Sequence, residues 1–209
     1  MNFAHLHVHT EYSLLDGSNK IKEYVSRVKE LGMNSAAITD HGVMFGVIDF
    51  YRAAKEAGIN PVIGCEVYVA PNSRFDREPG GAGDDRYYHL VLLAENNTGY
   101  ANLMKIVSKG FVDGFYYKPR VDKEVLQEYS EGIIALSACL AGEVPRYLTK
   151  GFYEEAKQTA LDYEKIFGKG NFFLELQDHG IPEQRLVNQQ LLRMSQETGI
   201  ELVATNDVH

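Results

Sequence analysis

The residues best able to do chemistry here are histidines and carboxylates that arrive in pairs and triplets. His5, His7 and His9 alternate near the start, His41 follows Asp40, and Glu66 and His89 sit in apolar surroundings. Cys139 lies in Ser-Ala-Cys-Leu, and Asp178-His179 and Asp207-Val208-His209 complete the set. Imidazole, carboxylate and thiolate together suit Zn²⁺ and related first-row divalent ions rather than Ca²⁺, which takes oxygen almost exclusively. Residues two apart on a strand point to one side, so His7 and His9 can chelate one ion while Leu6 and Val8 pack behind them; Asp207 and His209 repeat the spacing. A carboxylate such as Glu66 can bridge two ions, and ions held close together activate water and neutralise a phosphate in an in-line displacement. Two of these residues have a plainer reading. His5 sits deeper in its strand and is read as structural, and Cys139 could be the small buried hydrophobe that a free cysteine often is.

Something must bring these remote residues together. Short apolar, β-rich runs recur at 3–8, 35–39, 62–69, 87–93, 132–136, 171–176 and 201–205. Between most of them lie segments of helical spacing, such as Ile21, Tyr24, Val25, Val28 and Leu31, or Leu186, Val187, Leu191, Leu192 and Met194. The alternation predicts a parallel sheet, either open and doubly wound or closed into a barrel. Nearly every expected strand carries a metal-capable side chain at or just past its C-terminal end, the face where such folds gather their active sites. Residues 70–86, rich in Pro, Gly and charge, read equally as a lid or contact loop and as a tolerated insertion. Phe115 to Arg120 mixes aromatic and basic residues that could stack a base and hold a phosphate, though a loop anchored by aromatic packing is the plainer reading. Arg120 is the candidate phosphate ligand in that stretch.

With 209 residues, 44% of them hydrophobic, the chain suits one large core, so a single domain over 1–209 is expected. No run approaches the roughly 18 to 20 apolar residues of a membrane span, and no secretory leader precedes the first histidines, so a cytoplasmic protein without a membrane partner is expected. The net charge of −8 argues against a broad basic nucleic-acid face, but not against nucleic acid at one metal-bearing pocket, where bound cations reverse the local field. Gly-x-Ser-x-Gly, Walker and dinucleotide motifs are absent. Only a few residues follow the last expected strand and no closing helix does, an ending expected of a piece of a longer polypeptide.

On His-Leu-His-Val-His-Thr at 5–10, Thr-Asp-His-Gly at 39–42, Gly-Cys-Glu-Val-Tyr at 64–68, Tyr-His-Leu around His89 and Asn-Asp-Val-His at 206–209, the chain resembles the PHP (polymerase and histidinol phosphatase) domains. Residues 11–17 (Glu-Tyr-Ser-Leu-Leu-Asp-Gly), 114–120 (Gly-Phe-Tyr-Tyr-Lys-Pro-Arg) and 176–180 (Leu-Gln-Asp-His-Gly) narrow the resemblance to the PHP domains of bacterial DNA polymerase III alpha subunits. The resemblance implies an α/β fold, a distorted (β/α)7 barrel akin to a TIM barrel. It also implies a trinuclear centre, with one metal on His7, His9, Glu66 and Asp207, a second on Glu66, His89 and Cys139, and a third on Asp16, His41 and His209. Asp16 is assigned by the resemblance alone. At the positions of Asp16 and Cys139 other members can carry histidine, and both replacements can still ligate. Zn²⁺ is the expected ion, with Mn²⁺, Fe²⁺ or Mg²⁺ as alternatives. The implied activity is a 3′–5′ proofreading exonuclease acting on the 3′ end of a primer strand, with His41 and Asp207 in catalytic roles and Arg120 or Lys118 assisting. The implied partners are DNA, the remainder of the polymerase alpha subunit and other replisome subunits. Two alternatives stand beside it: a metal-binding scaffold of the polymerase without activity of its own, which shares every residue named here, and a free-standing phosphatase resembling histidinol phosphatase, against which the polymerase-like segments count.

Overall fold

Side-chain alternation along the strands sets the layers. On β2 (Asn60–Val69), Cys65, Val67 and Val69 face a helical outer layer, whereas Glu66 and Tyr68 face inward. The same division recurs on β6 (Ile133–Leu136) and β7 (Phe172–Leu176): Ile133, Ala135, Phe172 and Leu174 join the helix-side core, and Ile134, Leu136 and Phe173 join an inner cluster. This inside–outside pattern is what a sheet curled on itself requires.

The computed structural model describes residues 3–77 and 86–209. In addition to these strands it contains β1 (Ser35–Ile38), β3 (Tyr88–Ala94), β4 (Phe115–Tyr116), β5 (Lys118–Val121) and β8 (Leu202–Ala204). The helices are α1 (Ile21–Glu30), α2 (Val47–Ala57), α3 (Asn97–Val112), α4 (Lys123–Glu128), α5 (Glu143–Thr149), α6 (Tyr153–Phe167) and α7 (Pro182–Thr198). The sheet runs β1-β2-β3-β6-β7-β8, and the segment at residues 5–9 closes it. There Ala37 N donates to His5 O at 2.9 Å and Thr39 N to Val8 O at 2.9 Å on one side; His9 N donates to Val208 O at 2.7 Å and Val208 N to His7 O at 3.0 Å on the other. Seven staves therefore surround one interior, and the fold is a distorted (β/α)7 barrel.

Two expectations are corrected. The sheet is not wholly parallel, because β3 runs antiparallel to both β2 and β6. A parallel return needs a crossover, usually helical. The described parts of the connection from β2, 70–77 and 86–87, contain no helix, so the chain turns back beside β2. Residues 78–85, the middle of the expected lid or insertion, lie outside the described residues. The second correction is at 115–120, read as a loop. It forms the tight β4–β5 hairpin, which pairs with the far end of β2 through Tyr68↔Arg120 and Val69↔Val121.

Three apolar clusters hold the barrel. Leu103 and Ile106 of α3, Tyr163 of α6, and Leu191 and Met194 of α7 pack on Leu90, Leu92 and Leu174. Tyr24, Val25 and Val28 of α1 meet Phe50 and Ala54 of α2 over Val8 and Ile38. Leu186 and Leu192, read as part of the helical stripe, face solvent instead. Inside, Val91, Leu93 and Leu136, with Leu6, Phe173 and Val203 against them, fill one end of the barrel. The other end is left to polar residues. Among the described residues no helix is long and apolar enough to cross a membrane.

Candidate metal centre

That polar end is built around Glu66, which β2 delivers fully buried. Its Oε1 lies 3.0 Å from His7 Nε2, 3.2 Å from His89 Nδ1 and 4.0 Å from His9 Nε2, and its Oε2 contacts His41 Nδ1. Asp207 Oδ1 approaches His7 Nε2 at 3.2 Å, His9 Nε2 at 3.0 Å and His209 Nδ1 at 3.7 Å. Asp16 Oδ2 is 2.8 Å from His41 Nε2 and 3.6 Å from His209 Nε2, and Cys139 Sγ is 3.7 Å from His89 Nδ1. All nine residues expected to bind metal thus fall in one connected cluster. The potential ligand atoms of six of them converge within 4.8 Å in three overlapping groups: His7, His9 and Glu66; His41, Glu66 and His89; and His9, His41 and His209.

Local structure explains how each arrives. The extended segment at residues 5–9 turns His7 and His9 inward, while Val8 packs outward against α1 and α2. His41 lies just beyond β1, beside Glu66 on the parallel neighbour. His89 stands near the beginning of β3, and because β3 is reversed that beginning lies at the same end as the C-termini of the parallel strands. Asp16 is placed by a turn that Asp40 organises. The Asp40 carboxylate accepts from Thr10 N at 2.6 Å, Thr10 Oγ1 at 2.8 Å and Ser13 Oγ at 2.8 Å. Next to Asp16, Gly17 runs so close to the chain that a Cβ would lie 2.0 Å from Thr10 O, so only glycine fits.

The donor set fits divalent ions on two observations. First, Glu66 Oε1, Asp207 Oδ1 and the Nε2 atoms of His7 and His9 stand 3.0 to 4.0 Å apart in the pairs above, close to the roughly 3.3 Å separating ligands around a tetrahedral zinc with bonds of about 2.0 to 2.1 Å. Second, His7 Nδ1 lies 2.6 Å from buried Glu175 Oε1; donation from Nδ1 leaves the Nε2 lone pair directed at two carboxylates. A carboxylate behind an imidazole in this way orients a metal-binding histidine. Without a metal ion, protons on the imidazoles balance the carboxylates. Burial works to lower the His7 pKa, yet Glu175 and Glu66 outweigh it and raise that pKa well above its ordinary value. Burial works to raise the Glu66 pKa, but His89, His41 and His7 pull it well below the usual carboxylate range. Burial, reinforced by Glu66 and Asp207, pushes the Cys139 thiol well up. A cation at the centre of the cluster would favour both the carboxylate and the thiolate.

Several readings change. Arg120 is not free for phosphate: it is 3% exposed, and its guanidinium donates to the carbonyls of Gly114 at 3.1 Å, Arg74 at 3.0 Å and Asp76 at 2.6 Å. It ties the hairpin to the chain after β2. Lys118 is exposed instead, its Nζ 5.5 Å from the centroid of Tyr68, whose ring borders both His41 and His89. Asp178 and His179 are exposed outside the cluster, His179 bonded to Gln184 and Asn206 O. His5 stays outside it too and meets Phe3 edge-on. Cys65 faces the helices, its Sγ donating to Asp40 O at 3.4 Å. Glu175, with Gln177 and Thr205 donating to the oxygen that faces His7, was missed. The signal was present: Glu175 is the one charge in the apolar run Phe-Phe-Leu-Glu-Leu, and a charge buried in a strand needs a partner.

A model of the PHP domain matches residues 5–179. DNA polymerase III subunit alpha of Treponema pallidum is 50% identical over all of this chain, and that of Thermus aquaticus is 46% identical over all of it. The chain spans only 18% and 17% of the lengths of these relatives. Among solved structures, an amidohydrolase from Chromobacterium violaceum with bound sulfate superposes with a TM-score of 0.62 at 16% identity, over 99% of this chain and 87% of that one. A Bifidobacterium adolescentis protein provisionally described as a metal-dependent phosphoesterase gives 0.61 at 15% identity, over 100% and 88%. At such identities these two structures support the barrel alone, whereas the match over residues 5–179 carries the His7-to-Cys139 part of the cluster: the chain belongs to the PHP domain family.

Proposed function

We propose that this chain is the PHP domain of a bacterial replicative DNA polymerase III alpha subunit, working in the cytoplasm, and that it hydrolyses phosphodiester bonds at the 3′ end of a primer strand. The observation that supports this best is the gathering of nine metal-capable side chains from seven segments, buried Glu66 among them, into one connected cluster. His7, His9, Glu66 and Asp207 would hold one ion, Glu66, His89 and Cys139 a second, and Asp16, His41 and His209 a third, with zinc the best match to this mixture of ligands. Such ions would supply Lewis acidity, polarising the phosphoryl oxygens and lowering the pKa of water.

The protein supplies the rest. Glu66 holds three imidazoles in fixed relation, and Glu175 fixes the His7 ring behind them. His41 and Asp207 line the cluster beside the more exposed Asp16 and His209, the side from which a strand end can enter. Asp16 Oδ2, 2.8 Å from His41 Nε2, sets these two groups close enough to share one ion at the exposed side. The deeper end of the barrel is sealed by Val91, Leu93 and Leu136, so water and substrate share one entrance.

The test is incubation of the 209-residue chain with a 3′-mismatched primer-template and Mn²⁺ or Zn²⁺, beside His41→Ala and an elemental metal count. Metal-dependent loss of 3′ nucleotides that disappears in His41→Ala is the expected result. Bound metal without hydrolysis would overturn the exonuclease reading in favour of a structural centre within a larger polymerase.

A further inference from the structure

The aromatic and basic stretch at 115–120 has no part in the metal cluster, yet the hairpin it forms stands at the entrance. Pro119 Cγ and the Tyr68 ring crowd Gly42, the neighbour of His41, so closely that a Cβ at Gly42 would lie 3.1 and 2.8 Å from them. The Lys118 ammonium lies over Tyr68 and forms no ion pair among the described residues. Tyr68 also meets Tyr87 edge to face at 4.9 Å, and Tyr87 lies parallel to the His89 ring, 6.2 Å away with 5° between the planes. An aromatic wall thus runs from the cluster outward.

Tyr117, at the hairpin tip, extends that wall. It is 68% exposed, the Arg86 guanidinium lies 5.1 Å from its ring and Tyr116 meets it edge-on at 4.7 Å. Its φ of 61° is one that β-carbon-bearing residues avoid, and glycine would be the ordinary choice for this turn. Exposure of a large ring on a strained backbone calls for a ligand-side reason beyond its contacts with Arg86 and Tyr116. Arg120 and Arg77 brace the hairpin from behind through carbonyls of 113–115 and of the chain after β2. The platform is rigid where it joins the barrel and open where it faces solvent.

We propose that Tyr117, Lys118, Arg86 and Tyr87 form a subsite for single-stranded DNA, a base resting on Tyr117 and a backbone phosphate beside Lys118, which leads the 3′ end past Tyr68 to the metal cluster. Stacking on an aromatic face accepts any base, and lysine meets phosphate as a point charge, so the subsite holds a strand without reading its sequence. It also accounts for nucleic acid on a chain of net charge −8, since Lys118 and Arg86 put positive charge beside the one entrance. The inference rests on the phosphodiesterase reading of the cluster, but its test separates the two.

Binding of a 5′-fluorescein oligothymidylate to the metal-depleted 209-residue chain is measured by anisotropy, and hydrolysis of bis(p-nitrophenyl) phosphate by the metal-loaded chain is measured in parallel. Tyr117→Ala should weaken oligonucleotide binding about tenfold or more, Tyr117→Phe should bind like the parent, and Lys118→Ala should reduce the salt slope by about 0.7. Neither Tyr117 variant should change turnover of the small diester. Tyr117→Gly, which suits the backbone, should lose binding with an unchanged Tm, which removes misfolding as the cause. Oligonucleotide affinity unchanged in Tyr117→Ala and Lys118→Ala, or absent in the parent, overturns the subsite even if the diester is cleaved. Binding lost in the variants while no form cleaves the diester supports the subsite and sinks the hydrolytic reading instead.

Discussion

Replacing Glu175 by Gln tests whether His7 is held for a metal. In the structure His7 Nδ1 lies 2.6 Å from Glu175 Oε1, which also accepts from Gln177 Nε2 at 2.9 Å and from Thr205 Oγ1, while Oε2 is buried without a hydrogen-bond partner. A Gln side chain that keeps its oxygen on these three donors must place its NH₂ where no acceptor waits, a burial cost of about 1 to 3 kcal/mol. The bond from His7 also falls from charge-assisted to neutral, roughly halving its strength. Loss of such an orienting carboxylate lowers metal affinity by about 10- to 100-fold, equivalent to about 1.4 to 2.7 kcal/mol. Competition against a chromogenic zinc chelator measures this directly, with His7→Ala as the larger loss expected for a ligand. Zinc affinity of Glu175→Gln within twofold of the parent would refute the assignment of Glu175 as the group that orients His7.

Other outcomes follow from the same structure. Chelation should lower Tm by about 5 to 11 °C relative to protein with zinc at 100 times its Kd, since binding then contributes about 2.7 kcal/mol; Glu66→Ala should show little such dependence in differential scanning calorimetry. Tyr163→Phe should lower Tm by about 3 to 12 °C, because the buried Tyr163 hydroxyl donates at 2.6 Å to Glu143 and a hydrogen bond to a charged group contributes about 1.5 to 3 kcal/mol. Gly99→Ala should destabilise by about 1 to 3 kcal/mol or more in urea titrations, since its Cβ would lie 1.9 Å from Gly132 O and drive the start of α3 off that turn.

The seven staves were legible because each is a short β-rich run between turn residues or helical stretches, and the helices because residues such as Tyr24, Val25 and Val28 recur at helical spacing. Strand direction was not legible. Periodicity shows which residues share a face, not which way a strand runs, so β3 was expected parallel to its neighbours. The nine clustered residues were legible through ligand chemistry and through resemblance, Asp16 through resemblance alone. Arg120 and His179 misled because a sequence shows what a side chain could bind and not what has already bound it. Three carbonyls occupy Arg120, and Gln184 and Asn206 occupy His179. Glu175 was overlooked for the opposite reason: it offers nothing to solvent, and its role appears only once β7 is seen behind His7.

Charge balance links the fold to the chemistry. Four carboxylates, Asp16, Glu66, Glu175 and Asp207, surround the histidine cluster, and no lysine or arginine among the described residues pairs with any of them. The backbone is strained mostly at the same place: among the described residues the non-glycine positions with positive φ are Leu14, Ala138, Asp207 and Tyr117. The first three belong to or adjoin segments that deliver Asp16, Cys139 and Asp207 to the cluster. Strain at one end of a barrel destabilises the fold, and the carboxylates there have only imidazoles as partners. Divalent cations bound there would displace the protons and turn the converging carboxylates and imidazoles into a coordination shell. The groups that would act on a phosphodiester are then the same groups that make the folded state depend on its metals, so loss of metal should loosen the entrance of the barrel before its core.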